Sequence, residues 1–370
     1  MSTASVVERY TQGAQAREEA LCCPVDYDRS LLEMLPAEIV ERDYGCGDPS
    51  RYVQTGDTVL DLGSGGGKIC YMAAQLVGEK GHVIGIDMND EMLTLARRHQ
   101  NDMARQLGGD RVTFHKGRIQ DLALDLADTE AFLAKRTVAD TSDLLALEAH
   151  QDQQRLSRPL IADASVDLVI SNCVLNLVAE RDRRQMIDDI FRVLRPGGRV
   201  AISDIVADRP VPEALKRDPQ LWSGCISGAF HEAAFLDAFA AAGFHGVAYD
   251  KWQNEAWQVV DGIEFRSVTL VATKGSTQAE RDAGHAVLYR GPYQAVIDER
   301  GQTFPRGQRL AVSDRDFERL TGGAHGEDFV GITPSQPQDA PWALVHGTTR
   351  PPGPAGSDRH TDGNQGRGCC

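Results

Sequence analysis

Val59-Leu-Asp-Leu-Gly-Ser-Gly-Gly-Gly-Lys68 is the stretch that decides the fold. A short apolar strand runs into a glycine-dense turn, and helical spacing follows. The strand delivers Asp61 to the carboxyl end of a sheet. Gly63, Gly65 and Gly67 let a ligand approach backbone that any Cβ would hold away. About 24 residues further on, a second strand, His82-Val-Ile-Gly-Ile-Asp87, ends in an acid of the kind that grips ribose hydroxyls in doubly wound sheets. Turn and acid together point to a nucleoside-bearing ligand. The turn is not a Walker loop, because Gly67-Lys68 is followed by Ile69, which has no hydroxyl for a metal.

Outward from that stretch, strands and helices alternate over residues 51–121, with helices expected at 69–76 and 90–105 and a third strand at 112–116. Such alternation builds right-handed βαβ units and a parallel sheet. Residues 122–163 break the pattern. They are rich in Ala, Leu, Asp, Glu and Gln and read as a helical insertion at the sheet edge, in a solvated structural role. The sheet resumes at Val166-Asp-Leu-Val-Ile-Ser171 and leads to Asn172-Cys173. A helix over 180–194 then stops at Arg195-Pro-Gly-Gly198, before a buried strand over 199–205. Helices are expected within 213–243, and strands at 246–251 and 264–274 finish the sheet. Residues 276–334 form a small β-rich unit, with strands at 286–289 and 295–297. The Pro-, Gly- and Asp-rich residues 335–370 cannot bury a core and are expected to be a disordered tail.

Composition narrows the function. The 370 residues suffice for one large domain with appendages, and the formal charge of −15 supplies no phosphate-neutralising face. Nucleic acid is therefore excluded as a main partner, and so is an anionic membrane. No apolar run approaches the roughly 20 residues needed to span a bilayer. The chain reads as a cytoplasmic monomer acting on a small molecule. In that compartment its eight cysteines are expected to be reduced.

The Asp-x-Gly-x-Gly pattern resembles motif I of class I S-adenosylmethionine methyltransferases, which implies a Rossmann-like fold. It also implies that the carboxylate and turn amides serve a methionine zwitterion. Beyond the fourth strand, Asn172-Cys173-Val174-Leu175 puts a thiol where methyltransferases for exocyclic amines carry Asp/Asn-Pro-Pro-aromatic. Oxygen methylation wants a base or a metal, and only Asp204 and His231 stand as isolated candidates, each suited to a structural role. A soft nucleophile with its own lone pair needs no base, and trivalent arsenic is one that prefers thiolates.

Five segments carry a closer resemblance: Leu21-Cys-Cys-Pro24, Tyr44-Gly-Cys-Gly47, Cys70-Tyr-Met-Ala-Ala-Gln-Leu-Val-Gly78, Ser171-Asn-Cys-Val-Leu-Asn-Leu177 and Asp218-Pro-Gln-Leu-Trp-Ser-Gly-Cys-Ile-Ser-Gly228. Together they look like arsenite methyltransferases over about residues 15–275. The resemblance implies that Cys46, Cys173 and Cys225 ligate arsenic as substrate, with Cys46 carried by an N-terminal lid spanning 1–50. It implies that Cys22 or Cys23 delivers the metalloid or pairs with Cys46 after turnover, and that thioredoxin or glutathione resets the enzyme. For S-adenosyl-L-methionine it implies Asp61, Gly63, Ser64, Gly65, Asp87, Met88, Ile119 and Asn172. Cys70 reads as a buried thiol. Cys369-Cys370 could trap a soft metal, be lipidated or do nothing. Two other functions stay open: a carbon or oxygen methyltransferase with structural cysteines, and a non-catalytic thiol protein that sequesters soft metals.

Overall fold

β1 (Thr58–Leu62) forms because it alternates between two apolar environments: Leu60 and Leu62 enter one core cluster and Val59 the other. In the computed structural model, residues 6, 8–11, 13, 25–42, 44–275, 279–336 and 339–342 are described. Cys22, Cys23, Cys369, Cys370 and most of the expected tail lie outside them. The chain divides into two compact units, Met1–Ser276 and Thr277–Cys370.

In the first unit, β1 is followed by α1 (Lys68–Leu76), β2 (His82–Asp87), α2 (Asp90–Arg98), α3 (Gln100–Leu107) and β3 (Val112–Lys116). The single helix expected over 90–105 is thus two, because His99 leaves the helical geometry at φ −96°, ψ −3° and links them. The expected insertion contains α4 (Leu126–Leu133) and α5 (Thr141–Ser157), the latter with Leu145 and Leu156 exposed. β4 (Val166–Asn172), α6 (Arg183–Val193), β5 (Leu194–Ala207), β6 (Phe230–His231), α7 (Glu232–Ala241), β7 (Phe244–Trp252), β8 (Gln258–Val260) and β9 (Ile263–Lys274) complete it.

The strand order is β3-β2-β1-β4-β5-β9-β7, parallel from β3 to β5, with β9 antiparallel between β5 and β7. This is the Rossmann-like sheet expected from the alternation of elements. It reverses direction of winding at β1, so β1 and β4 open a crevice at their carboxyl ends. Phe235 and Phe239 of α7 are fully buried on one face, and Tyr71 and Met72 of α1 on the other. Burying each such side chain is worth about 2–3 kcal/mol. A third cluster sits apart: Cys46, Cys173 and Cys225 with Ile205, Ile226 and Phe265 among its buried members.

The second unit holds a three-stranded antiparallel sheet of Arg309–Ala311, Ala286–Tyr289 and Phe329–Ile332, packed with the helix Asp314–Thr321. Ala295–Ile297 pairs with Thr303–Pro305. Among the described residues, no helix is long and apolar enough to cross a membrane.

Candidate active site

The turn after β1 is held by the neighbouring strand. Gly63 and Ser64 donate their amides to the Ile86 carbonyl at 2.8 and 2.9 Å, and Gly65 donates to Asp87 Oδ2 at 2.9 Å. These amides therefore close the turn, which differs from the expectation that they serve a zwitterion. Gly65 has φ +52°, and a Cβ there would meet nothing within 4 Å because the residue faces a cavity. The cavity is lined by Gly63, Gly65, Asp87, Met88 and Ile119 from the expected set, and it reaches Cys173. Burial raises the pKa of Asp87, opposed by the amides of Asn89, Gly65 and Met88.

Three expected cofactor residues stand elsewhere. Asp61 is buried and accepts from Cys70 Sγ at 3.2 Å. Ser64 Oγ is buried without a hydrogen-bond partner. Asn172 fastens the Cys46 segment: its Oδ1 accepts from the amides of Cys46 (2.9 Å) and Gly47 (3.0 Å). Its Nδ2 donates to the Gly47 carbonyl (2.9 Å) and the Tyr27 hydroxyl (3.2 Å). The approach is so close that a Cβ on Gly45 would lie 2.1 Å from Asn172 Nδ2. Ser267 Oγ donates to the Cys46 carbonyl at 2.5 Å from the other side.

The thiols come from three separate turns. Cys173 follows β4 with φ +64°, its amide donating to the Ser203 carbonyl at 2.7 Å. Cys225 has φ +61° and follows the short helix Pro219–Ser223. There the Cys225 amide donates to the Trp222 carbonyl and the Ile226 amide to the Leu221 carbonyl. That is the pairing of a Schellman turn, whose left-handed residue is ordinarily glycine. A left-handed non-glycine costs about 1–3 kcal/mol, so two cysteines held this way point to chemistry rather than to packing.

The ligand atoms of Cys46, Cys173 and Asp204 all lie within 4.8 Å of one another, and all three residues are buried. Cys225 is outside that trio, its Sγ donating to the Cys173 carbonyl at 3.1 Å. Asp204 reads from its residues only as an isolated acid in the apolar run of β5. Asn176 Nδ2 and the Ile205 amide donate to its Oδ1 at 2.7 and 2.8 Å, and the Asn176 amide to its Oδ2 at 3.2 Å. His231 pairs in β6 with Ala207 of β5. Tyr10 also lines the cavity, and its ring meets that of Tyr44 edge-on at 6.2 Å. Burial first, then Cys225 and Cys173, hold the Tyr10 hydroxyl well above the ordinary tyrosine pKa.

Burial pushes Asp204 up to about 7, against hydrogen bonds from Ile205 and Asn176 that favour the anion. The native carboxyl therefore keeps its proton to about pH 7, while the unfolded one loses it near 4. Stability lent by this group is full below pH 4 and is lost as pH rises through that window. Wild-type unfolding free energy, minus that of Asp204→Asn, should fall by up to about 1.4 kcal/mol per pH unit from 4 to 7 and level off above. Urea titrations at pH 5, 6, 7 and 8 measure it, and a flat difference would refute the assignment.

A parallel Rossmann-like sheet with an antiparallel β9, a nucleoside cavity at the carboxyl ends of β1 and β2 and an acid closing β2 defines a class I methyltransferase. A methyltransferase-domain family model matches residues 54–259, and a model of a domain of unknown function matches 276–359. The arsenite methyltransferase of Aquipseudomonas alcaligenes is 31% identical over 80% of this chain and 81% of its own. That of Mus musculus is 35% identical over 82% of this chain and 74% of its own. The crystal structure of an arsenic(III) S-adenosylmethionine methyltransferase from Chlamydomonas reinhardtii is similar with a TM-score of 0.58 and 28% identity, over 86% of this chain and 99% of that one. The chain belongs to the arsenite methyltransferase family.

The residues present fit S-adenosylmethionine. Gly65 leaves open space beside the turn, and Asp87 stands at the cavity wall with Met88 and Ile119. Asp87→Ala should weaken S-adenosylmethionine binding on the order of 100-fold by calorimetry, since a charged acceptor contributes about 1.5–3 kcal/mol per hydrogen bond. Unchanged affinity would take Asp87 out of the site.

Proposed function

We propose that this chain methylates trivalent arsenic held as substrate by Cys46, Cys173 and Cys225, with S-adenosyl-L-methionine as methyl donor. What carries the reading is one observation: three thiols from distant parts of the chain share one buried apolar cluster, and one of them lines the nucleoside cavity. When bound, the donor offers a methyl group on a sulfonium, which an arsenic lone pair can take without a general base.

The chain's own work is binding, orientation and exclusion of water. Asp87 holds the donor's ribose, and Asn172 with Ser267 fixes the Cys46 loop over the thiol cluster. Ile205, Ile226 and Phe265 keep the cluster dry, which strengthens the directing effect of fixed dipoles around the reacting atoms. Cys225 completes a three-sulfur pyramid by leaving the Cys173 carbonyl and turning its Sγ towards the other two thiols. The reading also carries a reductant such as thioredoxin or glutathione, a role for Cys22 or Cys23, and a single-chain catalytic unit in a reducing cytoplasm.

The test is to incubate the protein with arsenite, S-adenosylmethionine and glutathione and to separate the arsenic species by chromatography. Methylated arsenicals are expected. Arsenite returned unchanged by protein that binds the methyl donor would overturn the reading.

A further inference from the structure

We propose that Cys46, Cys173 and Asp204 form a resting site for a borderline divalent cation of the zinc and cadmium kind, which arsenic must displace. The observation is the composition of the closed trio: two sulfurs and one carboxylate oxygen within 4.8 Å of one another, with Cys225 outside it. This proposal goes beyond arsenic methylation: the cation site stands on that geometry, and its displacement by arsenic rests on the proposed function.

The two kinds of ion ask for different ligand sets. Trivalent arsenic takes three sulfurs and is neutral once it has them; a carboxylate oxygen is a poor substitute for the third. Zinc and cadmium accept thiolate and carboxylate together, in a tetrahedron with metal–sulfur distances of about 2.3 Å for zinc. Such a tetrahedron places its ligand atoms roughly 3.5–4 Å apart, so shifts of about 1 Å would close the trio on a metal. On binding, the two thiols and the Asp204 carboxyl release their protons to solvent, and the dication reduces the resulting three negative charges to one.

The carboxylate is built to be a ligand. Asp204 is 1% exposed, and hydrogen bonds from Asn176 and Ile205 fix its Oδ1. Its Oδ2 accepts from the Asn176 amide at a longer 3.2 Å and has lone-pair capacity to spare. These partners orient the ligand in the way that surrounding hydrogen bonds tune metal sites. The fourth position belongs to water, because the Cys225 Sγ is engaged by the Cys173 carbonyl at 3.1 Å. Arsenic loading then becomes an exchange in which the cation and Asp204 leave and Cys225 enters.

The full chain, reduced and free of metal, is titrated with cadmium and followed by the ultraviolet thiolate-to-cadmium charge-transfer band. One equivalent is expected to saturate the band, arsenite to abolish it, and cadmium to inhibit methylation competitively with arsenite. Cadmium-113 resonance on the same wild-type protein reads the ligand set directly. A shift typical of two sulfurs with oxygen supports the proposal, and a shift typical of three or more sulfurs overturns it. Asp204→Asn should weaken cadmium at least tenfold, since removing even an outer-shell partner of a metal site costs about 10–100-fold. Equal cadmium affinity in that variant, or no saturable band in wild type, would also overturn it. Arsenite titration of the wild type by its tryptophan fluorescence keeps the two readings apart. Protein that binds cadmium but not arsenite fails the arsenic reading alone, and the converse fails only the cation site.

Discussion

Cys173→Ser should lower the rate of arsenite methylation on the order of 100-fold or more while S-adenosylmethionine binding persists. The hydroxyl is nearly isosteric, but a hard oxygen does not replace a thiolate on a soft metalloid. With two sulfurs left, arsenic is no longer held at one point, and misplacement of a reacting atom by about 1 Å alone costs about 100-fold. Cys173 joins both halves of the site, since it lines the nucleoside cavity and shares the cluster with Cys46 and Cys225. Cys225→Ser is expected to behave the same way. Product formation at the wild-type rate by either variant would remove the thiolate mechanism. Calorimetry with the methyl donor separates that outcome from misfolding.

The second large effect concerns Asn172, which fastens the Cys46 segment and is not among the residues that line the nucleoside cavity. Asn172→Ala should raise the KM for arsenite on the order of 100-fold, with donor affinity changed less than about threefold. Four hydrogen bonds tie Asn172 to Cys46, Gly47 and Tyr27. At about 1 kcal/mol each, losing even two or three of them frees the loop that carries the third thiol. Loss of donor binding instead, with arsenite affinity intact, would return Asn172 to the cofactor role that the family resemblance implies. Lys68 stabilises the same anchor, its Nζ 3.8 Å from the centre of the Tyr27 ring.

Much of this was legible from residues alone. The turn 63–67 and Asp87 announce themselves because glycine spacing and a strand-ending acid are local signals, and the strands they delimit fall where alternation puts them. The cysteines were legible as a set through the segments around Cys46, Cys173 and Cys225. Asp204 was not, because its partner thiols lie 31 residues upstream in the case of Cys173 and far earlier in the case of Cys46. An acid inside an apolar strand reads only as isolated until tertiary packing brings its neighbours. Nor does periodicity show that the amides of Gly63 and Ser64 are engaged by Ile86, or that a helix breaks at His99. Those are decisions of backbone pairing, which no side-chain pattern records.

The left-handed backbone at Cys173 and Cys225 bears on how natural variants should be read. Glycine or asparagine at either position would suit the chain's local path at least as well as the thiol does. A homologue so altered can accumulate to normal levels in a cell and still be inert towards arsenic. Abundance is therefore a poor proxy for resistance to the metalloid, and genotyping these two codons is the better one.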